Sequence, residues 1–595
     1  MPTLDLGLIG NCAVNALIDR DARIVWHCLP RPDGDPVFHA LLGGAEPGAG
    51  AFGVALENQT GREQEYVEDS AVLRTRLHAP EGSVEIVDFA PRYRSEGQIR
   101  RPAALVRRVR PIAGRPTITV ACRPGAHYGT VRARPRRASE QRVSYTAPLP
   151  LDLVASAPRE ALDETAFALD REIAFVFGPD AHALVGAGGD ALDTAQLTEA
   201  WTLDYWRGWT RRLALPLDYQ EAVIRAAVTL KLCVHEPTGA ILAAVTTSIP
   251  EAPGSERTWD YRYCWIRDSF FTLRALADLG AIGTLSGYQR WLMGVLEAAG
   301  ERPVQPLFGV GGEPYLPERF CETLPGYRGQ GPVRIGNQAH EHSQHDVYGQ
   351  IVLSAAPVFF DRRLSEMASP EMFELLERAG DWAVHLHDKP DAGLWELRTR
   401  SRVHTSSALM CWAACDRLGR VADALGRPER ARHWSGWAER IGASILEHAW
   451  NAEIGAYAES FGGHEMDASL LLMAEFGLVD GRDPRFLSTL DRIEAKLAHG
   501  PHLHRYEGAD DFGVPEVAFN LCSIWWYQAL ARAGRTERAA ELFEGLLARR
   551  NHLGLLSEDV DYASGELWGN FPQTYSMVGI INAARLLSRP WSAVV

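Results

Sequence analysis

A two-part architecture, an antiparallel β-sandwich followed by an (α/α)6 barrel, is the fold class this chain predicts, and three observations lead to it. The first 190 or so of 595 residues alternate in short β-rich runs cut by glycine and proline. From about residue 218 the periodicity becomes helical and stays so nearly to the end. A chain this long also exceeds what one ordinary core can organise.

The strand signals are the segments 57–67 (ENQTGREQEYV), 70–80, 82–91, 104–114, 116–124 and 166–179, each β-branched or alternating and bounded by turns. One helical pattern, near 158–165, interrupts them. Regular spacing of this kind predicts a large antiparallel sandwich over 1–193. Residues 194–213, with Trp201, Trp206 and Trp209 at helical spacing and Pro216 soon after, predict a helical linker over 194–216 that packs the two parts together. Over 217–595, twelve helical segments in about 370 residues permit a toroid of six helical hairpins and equally permit an irregular bundle. No fixed-period repeat is present, so a simple solenoid is excluded. The connecting loops are long and rich in Gly, Pro, Trp and Arg, where a site is expected.

Composition narrows the function. With 46% hydrophobic and 23% charged residues the chain is globular, and its net charge of −15 argues against nucleic-acid binding. Nine cysteines are dispersed without a CxxC pair, the pattern of reduced thiols. The first residues lack a basic segment followed by an apolar one, and no apolar run is long enough for a bilayer, so a cytoplasmic protein without a membrane partner is expected. The acidic surface and Trp-rich linker fit a monomer and a homodimer equally well. Seventeen tryptophans, an unusual number, suit a large core or a sugar cleft in which pyranose faces stack on indole rings.

Aromatic density peaks at 257–269, RTWDYRYCWIRDS, where Arg267 and Asp268 begin a helix. They read either as an N-cap aspartate beside a surface arginine or as a rigid clamp for several hydroxyls of one sugar. Glycoside hydrolysis needs a protonated acid and an ionised partner. Glu396, directly after Trp395 in a loop opened by Pro390, Asp391 and Gly393, is one such carboxyl, and an apolar wall would keep it protonated. Residues 555–570 supply Glu558, Asp559, Asp561 and Glu566, and the residues alone do not choose among them. In HEHSQHD (340–346) a helix could align only His342 and His345, while His340 lies off that face; with no HExxH the three histidines read as structural or substrate-facing, and no metal is expected. The glycine loops at 309–313 and 329–332 match no dinucleotide or phosphate fingerprint, and no GxSxG is present.

Taken together, these motifs resemble glycoside hydrolase family 15, the glucoamylases and bacterial trehalase-like proteins. Residues 9–38 resemble the trehalase-like N-terminal segment; RTWDYRYCWIRDS, LPGYRGQGPVRIGN (324–337), GLWE, LMCWAACDR (409–417) and SEDVDYASGELWGNFPQ (557–573) follow in the family's order. The resemblance implies a pocket at one mouth of the barrel and an inverting, exo-acting hydrolase of α-glucosides that needs no cofactor. It implies Glu396 as general acid, with Trp395 as the wall that keeps it protonated, and Glu558 as general base. It also implies Arg267 and Asp268 as the grip on the terminal glucose, Tyr261 and Trp265 around that subsite, and Arg505 lining the pocket. Three departures stand out: Ala408 where a lysine is usual, His345 where an aliphatic residue is commoner, and VPEVAFN after HRYEGADDFG. The substrates that fit are trehalose, short α-1,4 or α-1,6 gluco-oligosaccharides and a glucoside with an unusual aglycone. A catalytically silent sugar-binding protein on the same fold is the alternative.

Overall fold

The computed structural model describes residues 3–43 and 49–594. Its N-terminal part is two antiparallel sheets packed face to face. One has seven strands, built around Gly7–Gly10, Asn15–Ile18, Ile24–Leu29, Ala51–Leu56 and Thr117–Arg123; the other has eight, with Ile173–Gly178 and Leu105–Gly114 at its centre. In the first sheet Val54 faces Val120 across the register, which puts both on the core side. Between the sheets Phe52 meets Phe175 edge-on at 5.9 Å, and Phe38 lies 4.9 Å from Phe177. The first-sheet strands between residues 7 and 38 are almost wholly buried, so they lack the polar alternation that marks a half-exposed strand. The helix expected near 158–165 is a single turn, Arg159–Leu162, and a second short helix, Ala181–Val185, joins it.

The linker helix runs over Ala191–Thr210, three residues earlier than its tryptophan pattern suggests, because Asp190 caps it by accepting from the backbone N–H of Leu192 and Asp193. It lies on the outer face of the eight-stranded sheet, where Ala191 and Ala195 join a small core of valines. Trp206 and Trp209 are buried, whereas Trp201 points outward.

Twelve α-helices follow among the described residues, and they alternate in character. Ile266–Asp278, Asp346–Ala355, Thr405–Ala424, Leu472–Phe476, Asn520–Arg532 and Thr574–Leu587 form an inner ring that closes on itself, the last packing against the first. These helices are apolar or small on nearly every face; all ten residues of Asp346–Ala355 are buried. Gly349 is required there, because a Cβ would stand 2.2 Å from the Met410 carbonyl oxygen of the next inner helix. The outer helices are amphipathic: Pro484–Leu497 buries Phe486, Leu490, Ile493 and Leu497 along one stripe. This is an (α/α)6 barrel. One inner member is reduced to the turn Ala468–Leu471 and the five residues Leu472–Phe476. Among the described residues no helix is long and apolar enough to cross a membrane.

Candidate active site

At one mouth of the barrel, where the inner helices begin, the loops enclose a pocket lined by Tyr261, Trp265, Arg267, Asp268, Trp395, Glu396, Arg505 and Glu558. All eight residues singled out from the sequence therefore meet in one cavity. They reach it from four separate segments.

The first is the extended segment Trp259–Trp265. Trp259, Tyr261 and Trp265 face the pocket, while Asp260 and Arg262 turn into the interior with no exposed surface. The Tyr261 hydroxyl donates to Glu558 Oε1 at 2.7 Å, and the Trp265 indole N–H donates to Glu396 Oε1 at 2.7 Å. The two rings pack edge to face, with centroids 5.5 Å apart. Arg267 and Asp268 follow in the first turn of Ile266–Asp278, whose N-cap position is Trp265, not Asp268. Arg267 reaches Glu396 Oε1 at 3.1 Å and Gln344 Oε1 at 2.9 Å. Burial raises the Asp268 carboxyl to about 7, opposed by the neighbouring Arg267.

The second segment carries Glu396, whose backbone takes φ +61°, a left-handed conformation uncommon outside glycine. Its surroundings correct one expectation. Trp395 does not wall off Glu396: its indole N–H donates to Asp467 Oδ2 at 2.7 Å, and its ring packs with Tyr506, Phe519 and Trp525 on another side of the cavity. Successive residues in a tight turn point apart. The groups that meet Glu396 are Trp265 and Arg267, both on Oε1.

The third segment is the hairpin pairing Asp559–Val560 with Leu567–Trp568, which buries Glu558 almost completely. Burial, reinforced by the carboxylate of Glu251, pushes Glu558 up to about 8, against the Tyr261 hydrogen bond and the Arg505 charge. Of the four acids in this loop, Asp561 and Glu566 stay partly exposed and Asp559 is buried beside Glu558 without lining the pocket. Gly569 closes over the same carboxyl; a Cβ there would lie 2.7 Å from Glu558 Cβ.

Arg505, on the fourth segment, pairs with buried Glu251, which also accepts from the Trp259 indole N–H at 2.8 Å. Glu251 lines the pocket and is absent from the sequence-level candidates; a glutamate in SIPEAPG has no local pattern to mark it. Arg257, Arg398, Asp510, Asp511 and Phe512 complete the rim.

The three histidines diverge. His342 lines the pocket, His340 packs on Tyr315 at 5.6 Å, and His345 lies at the N-cap of Asp346–Ala355. The helix begins only at Asp346, so His342 and His345 do not share a helical face. No group of three metal-ligating side chains occurs among the described residues. Ala408 is fully buried in an inner helix, away from the cavity lining. Within the pocket Glu558 Oε2, His342 Nδ1 and Arg267 Nε have no hydrogen-bond partner in the protein. Buried polar atoms left open around one cavity are what a ligand rich in hydroxyls would satisfy.

A model described as Glycosyl hydrolases family 15 matches residues 218–585, and one described as Trehalase-like, N-terminal matches residues 2–161. The chain is similar to the trehalase of Mycolicibacterium smegmatis, 32% identical across 98% of this chain and 90% of that one. It is also similar to the trehalase of Thermoplasma acidophilum, 30% identical across 96% of this chain and 97% of that one. Among solved structures, a bacterial glucoamylase complexed with acarbose superposes with a TM-score of 0.68 over 98% of this chain and 94% of that chain; at 13% identity the likeness is one of fold.

Proposed function

This chain belongs to the glycosyl hydrolases of family 15, and on that premise we propose that it hydrolyses trehalose with inversion, Glu396 acting as general acid and Glu558 as general base. The observation that carries the reading is the pair of aromatic rings between the carboxyls. Tyr261 holds Glu558, Trp265 holds Glu396, and the rings pack against each other at 5.5 Å. The spacer keeps the carboxyls apart, and inversion needs a gap of about 6.5–9.5 Å to admit a water. Both donors on Glu396 meet Oε1, which leaves Oε2 to carry the proton to the glycosidic oxygen. Glu558 Oε2 is the open oxygen on the other carboxyl and accepts the proton of the attacking water.

In this mechanism Arg267 and Asp268 bind hydroxyls of the terminal glucose at the base of the pocket. As the C–O bond breaks, the leaving sugar takes the proton from Glu396 and water adds to the opposite face of the anomeric carbon. Glu558 must be ionised to act, and burial holds its pKa high, so the acid limb of kcat/KM lies above the ordinary carboxyl range. The preference for trehalose over α-1,4 or α-1,6 glucosides rests on the full-length similarity to proteins named trehalase.

A proton NMR time course with trehalose, read before mutarotation, tests this. Inversion at one α,α-linked ring releases α- and β-glucose in equal initial amounts. Release of α-glucose alone would mean retention, and no glucose at all would remove trehalose as the substrate.

A further inference from the structure

We propose that Tyr128 of the N-terminal sandwich, acting through buried Arg262, is a positioning residue that aligns the acid–base pair of the barrel. The inference deepens the reading above and rests on it.

Arg262 sits between the two residues that hold the carboxyls, and its side chain turns the opposite way, into the interface with the sandwich. Its donors are matched one for one. Nε and Nη2 grip Asp260 at 2.9 and 2.7 Å, the second Nη2 proton meets the Tyr128 hydroxyl at 2.5 Å, and Nη1 reaches the Gly34 carbonyl at 2.7 Å and Cys28 Sγ at 3.5 Å. Three of the five acceptors thus belong to the sandwich. Neither Arg262 nor Asp260 has any exposed surface, so this is a buried network in which a lost partner leaves a costly open donor.

The loop that presents Tyr128 is itself held. His127 and Tyr128 both take left-handed backbone conformations, φ +50° and +54°. Asp35, next to Gly34, accepts from both their backbone N–H groups, the Tyr128 bond being 2.8 Å, and Thr323 donates to the Tyr128 carbonyl at 2.7 Å. Two consecutive non-glycine residues in this region persist only where the surroundings over-determine them. What they achieve is to aim one phenol at one guanidinium. On an extended segment a shift of Arg262 moves its neighbours Tyr261 and Trp265 with it, and with them the hydrogen bonds to Glu558 and Glu396.

The readout is the ionisation of Glu558. The groups facing it are Tyr261, whose hydrogen bond lowers its pKa, Arg505, which also lowers it, and Glu251, Asp268 and Asp559, which raise it or share its proton. Loosening Tyr261 therefore moves the acid limb of kcat/KM to higher pH. With trehalose as substrate and the full chain, Tyr128→Phe is expected to lower kcat roughly tenfold, with KM changed less than about twofold. The acid limb should move upward, as it does in Tyr261→Phe, and this shift should vanish when Tyr128→Phe is made in the Tyr261→Phe background. Asp35→Asn, which frees the turn without touching Arg262, should act in the same direction. A limb left in place by Tyr128→Phe while Tyr261→Phe moves it overturns the positioning role and leaves Glu558 as base. So does a shift that adds in full to that of Tyr261→Phe, or a loss of thermal stability alone. A limb unmoved by Tyr261→Phe itself overturns both this inference and the assignment of Glu558.

Discussion

Glu251 shows how one side chain outside the reacting pair can set the conditions of the reaction. It is buried, it neutralises Arg505, and its charge is the largest electrostatic contribution holding the Glu558 proton on. Glu251→Gln removes that charge and at the same time releases the Arg505 cation from its partner. Both changes favour ionised Glu558, so both lower its pKa. The acid limb of kcat/KM should move to lower pH, opposite in sign to the effect of removing the Tyr261 hydroxyl. A pH–rate profile of the variant checks this, and a limb that moves upward would mean that Glu558 does not set it. The amide can still accept the Trp259 indole N–H, so the local packing is kept.

The elements that carry the site are connections, and their geometry depends on a few backbone positions. Gly569, at φ +75°, lets the hairpin close over Glu558; a Cβ would also stand 2.8 Å from Asp559 Oδ2. Gly569→Ala should cost about 1–2 kcal/mol for the left-handed backbone and, by displacing the carboxyl, lower kcat by at least roughly tenfold. Unchanged kcat at lowered Tm would show that the hairpin yields elsewhere. How much of this was legible in the sequence differs from element to element. The amphipathic outer helices were plain from their 3.6-residue stripes, and Asp346–Ala355 could be located but not bounded, because its upstream histidines look as helical as its interior. The strands of residues 7–38 escaped period-two reading because both their faces are covered. Glu558, one of four acids in its loop, and Arg505 were marked only by the family resemblance, whereas the Arg267–Asp268 and Trp395–Glu396 doublets, with Tyr261 and Trp265, stood out in aromatic surroundings. Glu251, Arg262 and Tyr128 did not, since each acts through a partner more than a hundred residues away or faces inward from a segment whose other face attracts notice.

Across the whole molecule, two sets of buried groups pull stability in opposite directions with pH. Burial raises Asp268 and Asp391 to about 7, Asp467 to about 6 and Glu558 to about 8, from ordinary values near 4. Folded carboxyls of this kind hold protons that the unfolded chain has released. Their contribution is complete below the ordinary carboxyl range and is lost as pH rises through 6 to 8. Burial depresses His27, His235, His404, His502 and His504 to about 4, from 6.5. Their contribution is complete above 6.5 and is lost as pH falls toward 4. Between 4.5 and 6.5 the two sets oppose each other; above 6.5 the histidines are neutral in both states, only the raised carboxyls still differ, and the slope turns negative. Ion-paired carboxylates such as Glu236, held down to about 2 after its burial is outweighed by Lys231 and Arg92, enter only in strong acid. The melting temperature of the ligand-free protein should therefore be highest near pH 6.5, change little down to about 5, and fall more steeply toward pH 8. Calorimetry across that range decides it, and a Tm that climbs steadily from 6.5 to 8 would mean that the pocket carboxyls are already ionised in the folded state. Asp268→Asn removes a group whose contribution is lost between the ordinary carboxyl range and about 7, where it opposes the histidines; it should steepen the fall of Tm below pH 6.5 and flatten only the start of the alkaline side, and that tells the pocket's own share from the rest of the barrel.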